Sequence, residues 1–417
     1  MKILNEADVS RIDPANIIDI DLGGDELRQG ALRGLLAEWA TKAPFYVVNN
    51  GVPQVAVTRY ADCKSVFTDR EHFTMRSPRA KGYERFDYFN GADSIAQMDG
   101  AEHDRVRSTL TPSFTPRFLA RVEENMRGII DTLLDEVEAR GAEFDCMNDF
   151  ADHLIVRIVL GSLLGMTVQQ QKVMMHMHEA FTLVIDIPPG GAYPAEYLQA
   201  QQNAYGVIAE MIAERRTHPR DLDFISSMLA AQQAAGTIND AELVSNVFAI
   251  IGAAQGTTST ATGAMLMNLC RHRDQFDKVI ANRALIPQVV EECLRYQGSG
   301  FFTFARFALH DCEIGGTPIL EGMPVIVMMQ SANYDPAEYP EPLKFDIHRN
   351  PRNIFTFGTG SHHCLGNRLA RRVMMITLEK VCDRFPDLRL QDPDFEPHYG
   401  GMFGEIKPDN IPMHTGR

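Results

Sequence analysis

A mainly α fold with a minor β region is predicted by three observations. Helical periodicity of apolar residues dominates from Arg117 to about Ala235. The stretch from Leu243 to Cys270 carries no charged side chain and lies between a helix-start signal and a cationic helix end. Strand-type alternation is confined to short runs near residues 45–58 and 301–328.

Taken in order, residues 1 to about 30 read as an irregular lead-in, followed by a short helix holding the only tryptophan, Trp39. Phe45–Val48, Asn49-Asn50-Gly51 and Val55–Thr58 read as strand, turn and strand of a hairpin. Between Ser77 and Met98 periodicity is lost, and Tyr83, Phe86, Tyr88 and Phe89 supply aromatics in a loop long enough to be functional or disordered. In Asp99–Arg107, His103 and Arg107 stand four apart and share one helix face.

Helices are expected over Leu119–Arg140, Met147–Met166, Val168–Ile187, Ala195–Arg216 and Phe224–Ala235, with a turn at Ile187-Pro188-Pro189-Gly190-Gly191. Asn239 with Glu242 makes a capping-box start. The long uncharged helix that follows runs to Arg271-His272-Arg273, cations suited to a helix C-terminus. Its centre, Gly252-Ala253-Ala254-Gln255-Gly256-Thr257-Thr258, lets a flat ring approach. The glycine and threonine hydroxyls there can loosen the backbone ladder into a polar notch. Glu292 and Arg295 share a face three residues apart. Phe301–Arg306 alternates into a strand, Asp311–Met328 reads as strands and turns, and Gly400–Gly404 makes a terminal turn.

The most informative stretch is Phe357-Gly358-Thr359-Gly360-Ser361-His362-His363-Cys364-Leu365-Gly366, where glycine-rich backbone gives way to the helical pattern from Asn367, which is expected to run to about Arg384. A thiol at the positive end of a helix dipole is favoured as thiolate, poised for a metal or an electrophile. Cys364 taken alone reads more readily as an inert buried cysteine, and it is the full pattern around it that favours the ligand reading. A zinc reading of His362, His363 and Cys364 is weaker, because the chain has no CxxC pair to complete four ligands.

Hydrophobic residues make up 45% and charged ones 23% of the 417, the balance of a globular protein with ample core. A net charge of −15 argues against nucleic acid or an anionic membrane as the main partner. Seven dispersed cysteines, an odd count without framework spacing, point to a reducing cytoplasm. Residues 1–8 are partly acidic without an apolar run, so no signal peptide or anchor is expected. The uncharged stretch is too rich in Gly, Ser, Thr, Asn and Gln to read as a membrane span. No repeat or linker divides the chain, and motifs over residues 99–366 would converge on one site, so a single domain over 1–417 is expected.

The order Phe-Gly-x-Gly-x-His-x-Cys-x-Gly from Phe357 to Gly366 closely resembles the haem-ligand loop of the cytochrome P-450 family. The resemblance implies a triangular helical prism with small β-sheets, with haem b (iron protoporphyrin IX) between the long central helix and the Cys-loop helix. It implies Cys364 as axial ligand, Phe357, Gly358 and Gly366 around it, and His103, Arg107, Arg306 and His362 on the propionates. Ala253, Gly256 and Thr257 would shape the oxygen side. The family's acid before the threonine falls on Gly256 if Thr257 is that threonine, or on Thr257 if it is Thr258; neither register offers a carboxylate, so Thr257 with Gln255, water or a substrate group is expected to carry protons. Glu292, Arg295 and Arg349 resemble the family's structural trio, and Ser331–Pro336 also matches.

By the same resemblance the function is insertion of one atom of O2 into an apolar small molecule, terpenoid, aromatic or steroid-like. Electrons would come from a ferredoxin-type donor with its NAD(P)H reductase, and the protein would be a monomer. Phe86, Phe89, Ala253, Phe301, Phe302 and Phe403 would line the substrate pocket. Arg105, Arg117, Arg352, Arg368, Arg371, Arg372 and Lys380 would offer an acidic ferredoxin a dock. A peroxide-driven or rearranging haem-thiolate enzyme, and a non-enzymatic haem sensor or carrier, remain alternatives.

Overall fold

The computed structural model describes residues 4, 8, 10–22, 24–28, 32–49, 52–76, 94–184, 192–236, 238–303, 305–401 and 404–417. Helices dominate, and their ends follow from local chemistry. The Pro116–Arg140 helix starts where Thr115 Oγ1 accepts from Phe118 N at 3.3 Å with proline at its first position. It buries Leu119, Val122, Met126, Ile130, Leu133 and Val137 along one face. That face packs against the Asn367–Arg384 helix. Arg372 to Glu123, Arg127 to Glu379 and Lys380 to Asp131 pair across the same seam.

The expected central helix exists but is broken at Gly256 into Asp240–Gln255 and Thr257–Arg271. Its capping box is made as expected: Asn239 Oδ1 accepts from Glu242 N (2.8 Å), and Glu242 Oε2 from Asn239 N (2.9 Å). Residues 258–269 are buried throughout, which explains a segment without charge. None of the described helices is long and apolar enough to cross a membrane.

The β region is a five-stranded sheet ordered Phe45–Asn49, Val52–Val57, Pro324–Val327, Arg306–Ala308, Phe73–Thr74. Only the pairing of Val52–Val57 with Pro324–Val327 is parallel. Smaller pairings follow, among them Tyr399–Gly400 with Lys407–Pro408.

Three sequence expectations need correction. Phe301–Arg306 is not a continuous strand, because its backbone bonds different segments in turn: Phe301 N to Gly404 O, Gln330 N to Phe301 O, Thr303 N to Val327 O. The helix from Val168 ends at Ala180, with a tighter turn over Phe181–Val184. The segment read as one α-helix from Met147 to Met166 is instead π-helical over Cys146–Ala151 and Val156–Leu163, with one α turn between. The turn at 187–191 lies outside the described residues.

The Glu292–Arg295 pair is buried completely. Both hydrogen bonds between them are 2.8 Å, and Arg349 Nε reaches Glu292 Oε1 at 3.4 Å. Arg295 also donates to Asn333 O and Pro342 O, and Arg349 to Pro340 O. The trio thus ties the Ile286–Tyr296 helix to the segment leading into the cysteine loop. Breaking one side of such a buried pair typically costs about 3–5 kcal/mol.

Candidate active site

Two tight turns, Phe355–Phe357 and Gly360–His362, bring the chain to Cys364. Gly358 and Gly360 adopt φ of +61° and +71°, and a Cβ on Gly360 would stand 2.8 Å from Phe67 O. Glycine is therefore required for the loop to close on Phe67. Cys364 N donates to Phe357 O at 2.9 Å, and the guanidinium of Arg371 lies 4.3 Å over the Phe357 ring.

Burial pushes the Cys364 thiol up, while the N–H groups of Gly366 and Asn367 and the charges of Arg107 and Arg371 pull the other way. The helix-end assistance expected from sequence is thus present, but desolvation outweighs it. By surface area the same residue is exposed. A side chain both accessible and desolvated faces interior space rather than bulk water. Gly252 and Ala253 are likewise exposed although the next turns of the same helical run are buried. A Cβ on Gly252 would touch nothing within 4 Å.

Around this space the Gly100–Leu110 helix and the sheet place a cationic cluster. His103 is 1% exposed; its Nδ1 meets Asp104 Oδ1 at 3.0 Å and its ring centre lies 4.4 Å from that of His362. Burial holds His103 below the ordinary histidine range. Arg107 donates to His363 O at 2.7 Å, and burial lowers its pKa. Arg306, 4% exposed, stacks 4.3 Å over Phe67, and burial pushes it down to about 10 against the opposing charge of Asp99.

Asp99 stands at the edge of this cluster. It accepts from Thr74 Oγ1 (2.6 Å) and Met75 N (2.7 Å) and meets His362 Nε2 at 3.2 Å. Burial works against its carboxylate, yet these hydrogen bonds hold it below the usual range. Among the described residues, His103 Nε2 and Arg306 Nη2 are buried without a partner. The orphaned Arg306 donor calls for an anion, and His103 Nε2 becomes a second donor only when the ring is protonated beside one, since Nδ1–H already faces Asp104.

The second notable feature is the break in the central helix at Gly256. Thr257 Oγ1 donates to Ala253 O at 2.9 Å, which makes the polar notch expected from the glycine and threonines. Gln255 Nε2, Ser259 Oγ and Thr260 Oγ1 are buried without partners among the described residues. A Cβ on Gly256 would stand 2.6 and 3.0 Å from the two carboxylate oxygens of Glu405. Glu405 is set there by an antiparallel bridge to Gly300, by Phe301 N to Gly404 O (2.8 Å) and by Ile406 N to Ser299 O (3.0 Å).

Sequence reasoning did not reach Glu405 or Asp99. The one signal for Glu405 is its place directly after the Gly400–Gly404 turn, an acid in an apolar context. Phe301 is buried beneath Phe302, ring centres 4.8 Å apart, and Gly404 packs on the Phe302 ring. Phe86, Phe89 and Phe403 lie outside the described residues. The basic dock needs correction: Arg105 pairs with Glu242, Arg371 with Glu291, Arg372 with Glu123 and Lys380 with Asp131. Of the seven, only Arg117, Arg352 and Arg368 are exposed and outside the ion pairs seen among the described residues, because acidic neighbours distant in sequence take the others.

A desolvated cysteine in a glycine-rich loop, a buried cation without a partner among the described residues and a notched central helix fit the haem-thiolate class of protein. Residues 41–408 match the Cytochrome P450 family, and the chain belongs to it. It is 32% identical to Cytochrome P450 CYP107DY1 of Priestia megaterium over 305 residues, 73% of each chain. It is 31% identical to the Steroid C26-monooxygenase of Mycobacterium tuberculosis over 304 residues, 72% of this chain and 80% of the relative. The solved structure of Cytochrome P450 CYP109Q5 from Chondromyces apiculatus superposes with a TM-score of 0.82 at 28% identity, covering 95% of this chain and 98% of that one. The protein is accordingly a haem-thiolate oxidoreductase of the monooxygenase type, with haem b as cofactor. The orphaned Arg306 Nη2 fits that group's carboxylates, a bound carboxylate would favour the protonated His103 whose Nε2 then donates, and the donors around Cys364 fit a thiolate.

Proposed function

We propose that residues 1–417 act as one domain that inserts one oxygen atom of O2 into a small apolar molecule, with Cys364 as the residue whose thiolate would hold the haem iron. The single observation that carries the ligand assignment is the Cys364 thiol, accessible yet desolvated, with Gly366 N, Asn367 N, Arg107 and Arg371 biased toward its anionic form. When bound, haem b supplies the iron at which O2 is activated, and the thiolate supplies electron density that favours O–O cleavage. The protein's part is to hold, orient and exclude water.

In this reading Arg107, His103, Arg306 and His362 hold the cofactor's carboxylates, since buried cations and carboxylates are each costly alone. Phe357 packs beside the sulfur, and Gly358 and Gly366 let the backbone approach. Ala253 and Gly256 leave room on the oxygen side, and Thr257 with Gln255 holds protons there. Phe302, backed by Phe301, lines the substrate pocket with Phe86, Phe89 and Phe403. An apolar terpenoid, aromatic or steroid-like substrate suits these aromatics, and a relative's name, Steroid C26-monooxygenase, supports that class.

Electrons come from a ferredoxin-type partner with its NAD(P)H reductase, drawn by Arg117, Arg352 and Arg368. The protein works as a cytoplasmic monomer. The test of the ligand is Cys364→Ser: the reduced carbon monoxide adduct of the wild type should carry the thiolate signature, and the variant should lose it. A thiolate spectrum surviving in Cys364→Ser would overturn the assignment. A peroxide-driven reading is favoured by the lack of an acid at Gly256, and a strict requirement for O2 and NAD(P)H separates the two.

A further inference from the structure

Monooxygenation balances as RH + O2 + 2 e⁻ + 2 H⁺ → ROH + H2O: one O–O and one C–H bond break, and O–H and C–O bonds form. The two electrons come from the ferredoxin-type donor. Two protons must therefore reach the oxygen side in every turnover, the side to which the break in the central helix at Gly256 is assigned above. Gly256 itself offers no acid there. What stands against it is the carboxylate of Glu405, in the volume that a side chain at 256 would fill.

We propose that Glu405, carried on the C-terminal hairpin, is the proton-delivering acid of the oxygen side and acts in concert with Thr257. This rests on the monooxygenase reading above. Three features support it. The carboxylate is held by fold: the strands Tyr399–Gly400 and Lys407–Pro408 close the hairpin, and the bridge to Gly300 pins its tip. The contact is possible only because residue 256 lacks a Cβ. The helix beside it carries spare hydrogen-bonding capacity, with Gln255 Nε2, Ser259 Oγ and Thr260 Oγ1 buried and unpaired among the described residues. Thr260 lies one helical turn beyond Gly256, on the same face. A carboxyl group against Gly256, on a helix that carries such groups within a turn, can hold a proton at Oε1 or Oε2 and pass it toward Thr257 Oγ1.

The decisive experiment compares Glu405→Gln with wild type, both as holoenzyme with an intact thiolate spectrum. The variant should lose about tenfold or more in product per electron consumed. Its solvent deuterium isotope effect should rise, and the substrate dissociation constant, read from the substrate-induced haem spectral shift, should stay within about twofold. Gly256→Ala, which expels the carboxylate while keeping residue 405, should uncouple in the same way. In resting holoenzyme, the infrared carboxyl band that disappears in Glu405→Gln should shift in Gly256→Ala. Placing the acid on the helix, Gly256→Glu in the Glu405→Gln background, should restore coupling.

Unchanged coupling in Glu405→Gln overturns the proposal. So does a raised dissociation constant with coupling intact, which would make Glu405 a substrate anchor. Should Glu405→Gln fail to fold, Gly256→Ala decides: coupling retained there overturns the proposal, and coupling lost upholds it. Absence of a thiolate spectrum in the wild type would instead sink the family-level reading, so the two failures are distinct.

Discussion

Arg306 shows how a single residue reports on its site. Its guanidinium stacks on Phe67, burial lowers its pKa to about 10, and Nη2 has no partner among the described residues. A protein that keeps a cation under these conditions gains from it only when an anion is bound. A charge-assisted hydrogen bond is worth about 1.5–3 kcal/mol, or roughly ten- to a hundredfold in affinity. Arg306→Leu should therefore release haem to a scavenging apoprotein about ten times faster or more, while the apoprotein's thermal midpoint holds or rises. Haem retention equal to wild type would remove Arg306 from the cofactor site. The sequence placed Arg306 at the end of an aromatic strand, but its stacking partner Phe67 is remote in sequence and was not legible there.

At the scale of elements, the central helix is held at both ends by side chains from elsewhere. At its start, Arg105 grips Glu242 through both carboxylate oxygens, at 3.1 and 2.5 Å, and joins the central helix to the helix bearing His103 and Arg107. The hydrogen bond from Arg105 holds Glu242 below its ordinary value of 4.5, burial opposes, and Asn239 N adds to the depression. A depressed carboxylate contributes stability that is complete above 4.5 and is lost as pH falls through the folded value. Glu242→Gln should thus lower the thermal midpoint at neutral pH and flatten the acid limb of the stability profile below about 4.5. An acid limb as steep as wild type would show that the pair contributes nothing, as many partly exposed pairs do.

Across the molecule, charge is arranged to be internally satisfied rather than displayed. Although the net charge is −15, the long seam between Pro116–Arg140 and Asn367–Arg384 is laced with ion pairs that consume cations otherwise available to a partner. Steering of the acidic ferredoxin proposed as donor would then rest on few charges. Reduction by such a donor should slow as ionic strength rises, with a shallow dependence that Arg368→Gln makes shallower still. Reduction indifferent to salt would remove charge steering altogether.

Helix periodicity, the Asn239–Glu242 cap, the glycines of the cysteine loop and the spacing of His103 and Arg107 are all short-range features. Each is dictated within one or two turns of chain, and so the mainly helical class, the haem-thiolate family and most of the cluster around Cys364 were determined by sequence alone. The pairing of Arg105 with Glu242, of His362 with Asp99 and of Glu405 with Gly256 joins segments far apart in the chain. No local rule links those residues. Which carboxylate meets which cation, and which acid fills the space beside Thr257, were decided only by tertiary packing, because burial and distance are properties of the folded core.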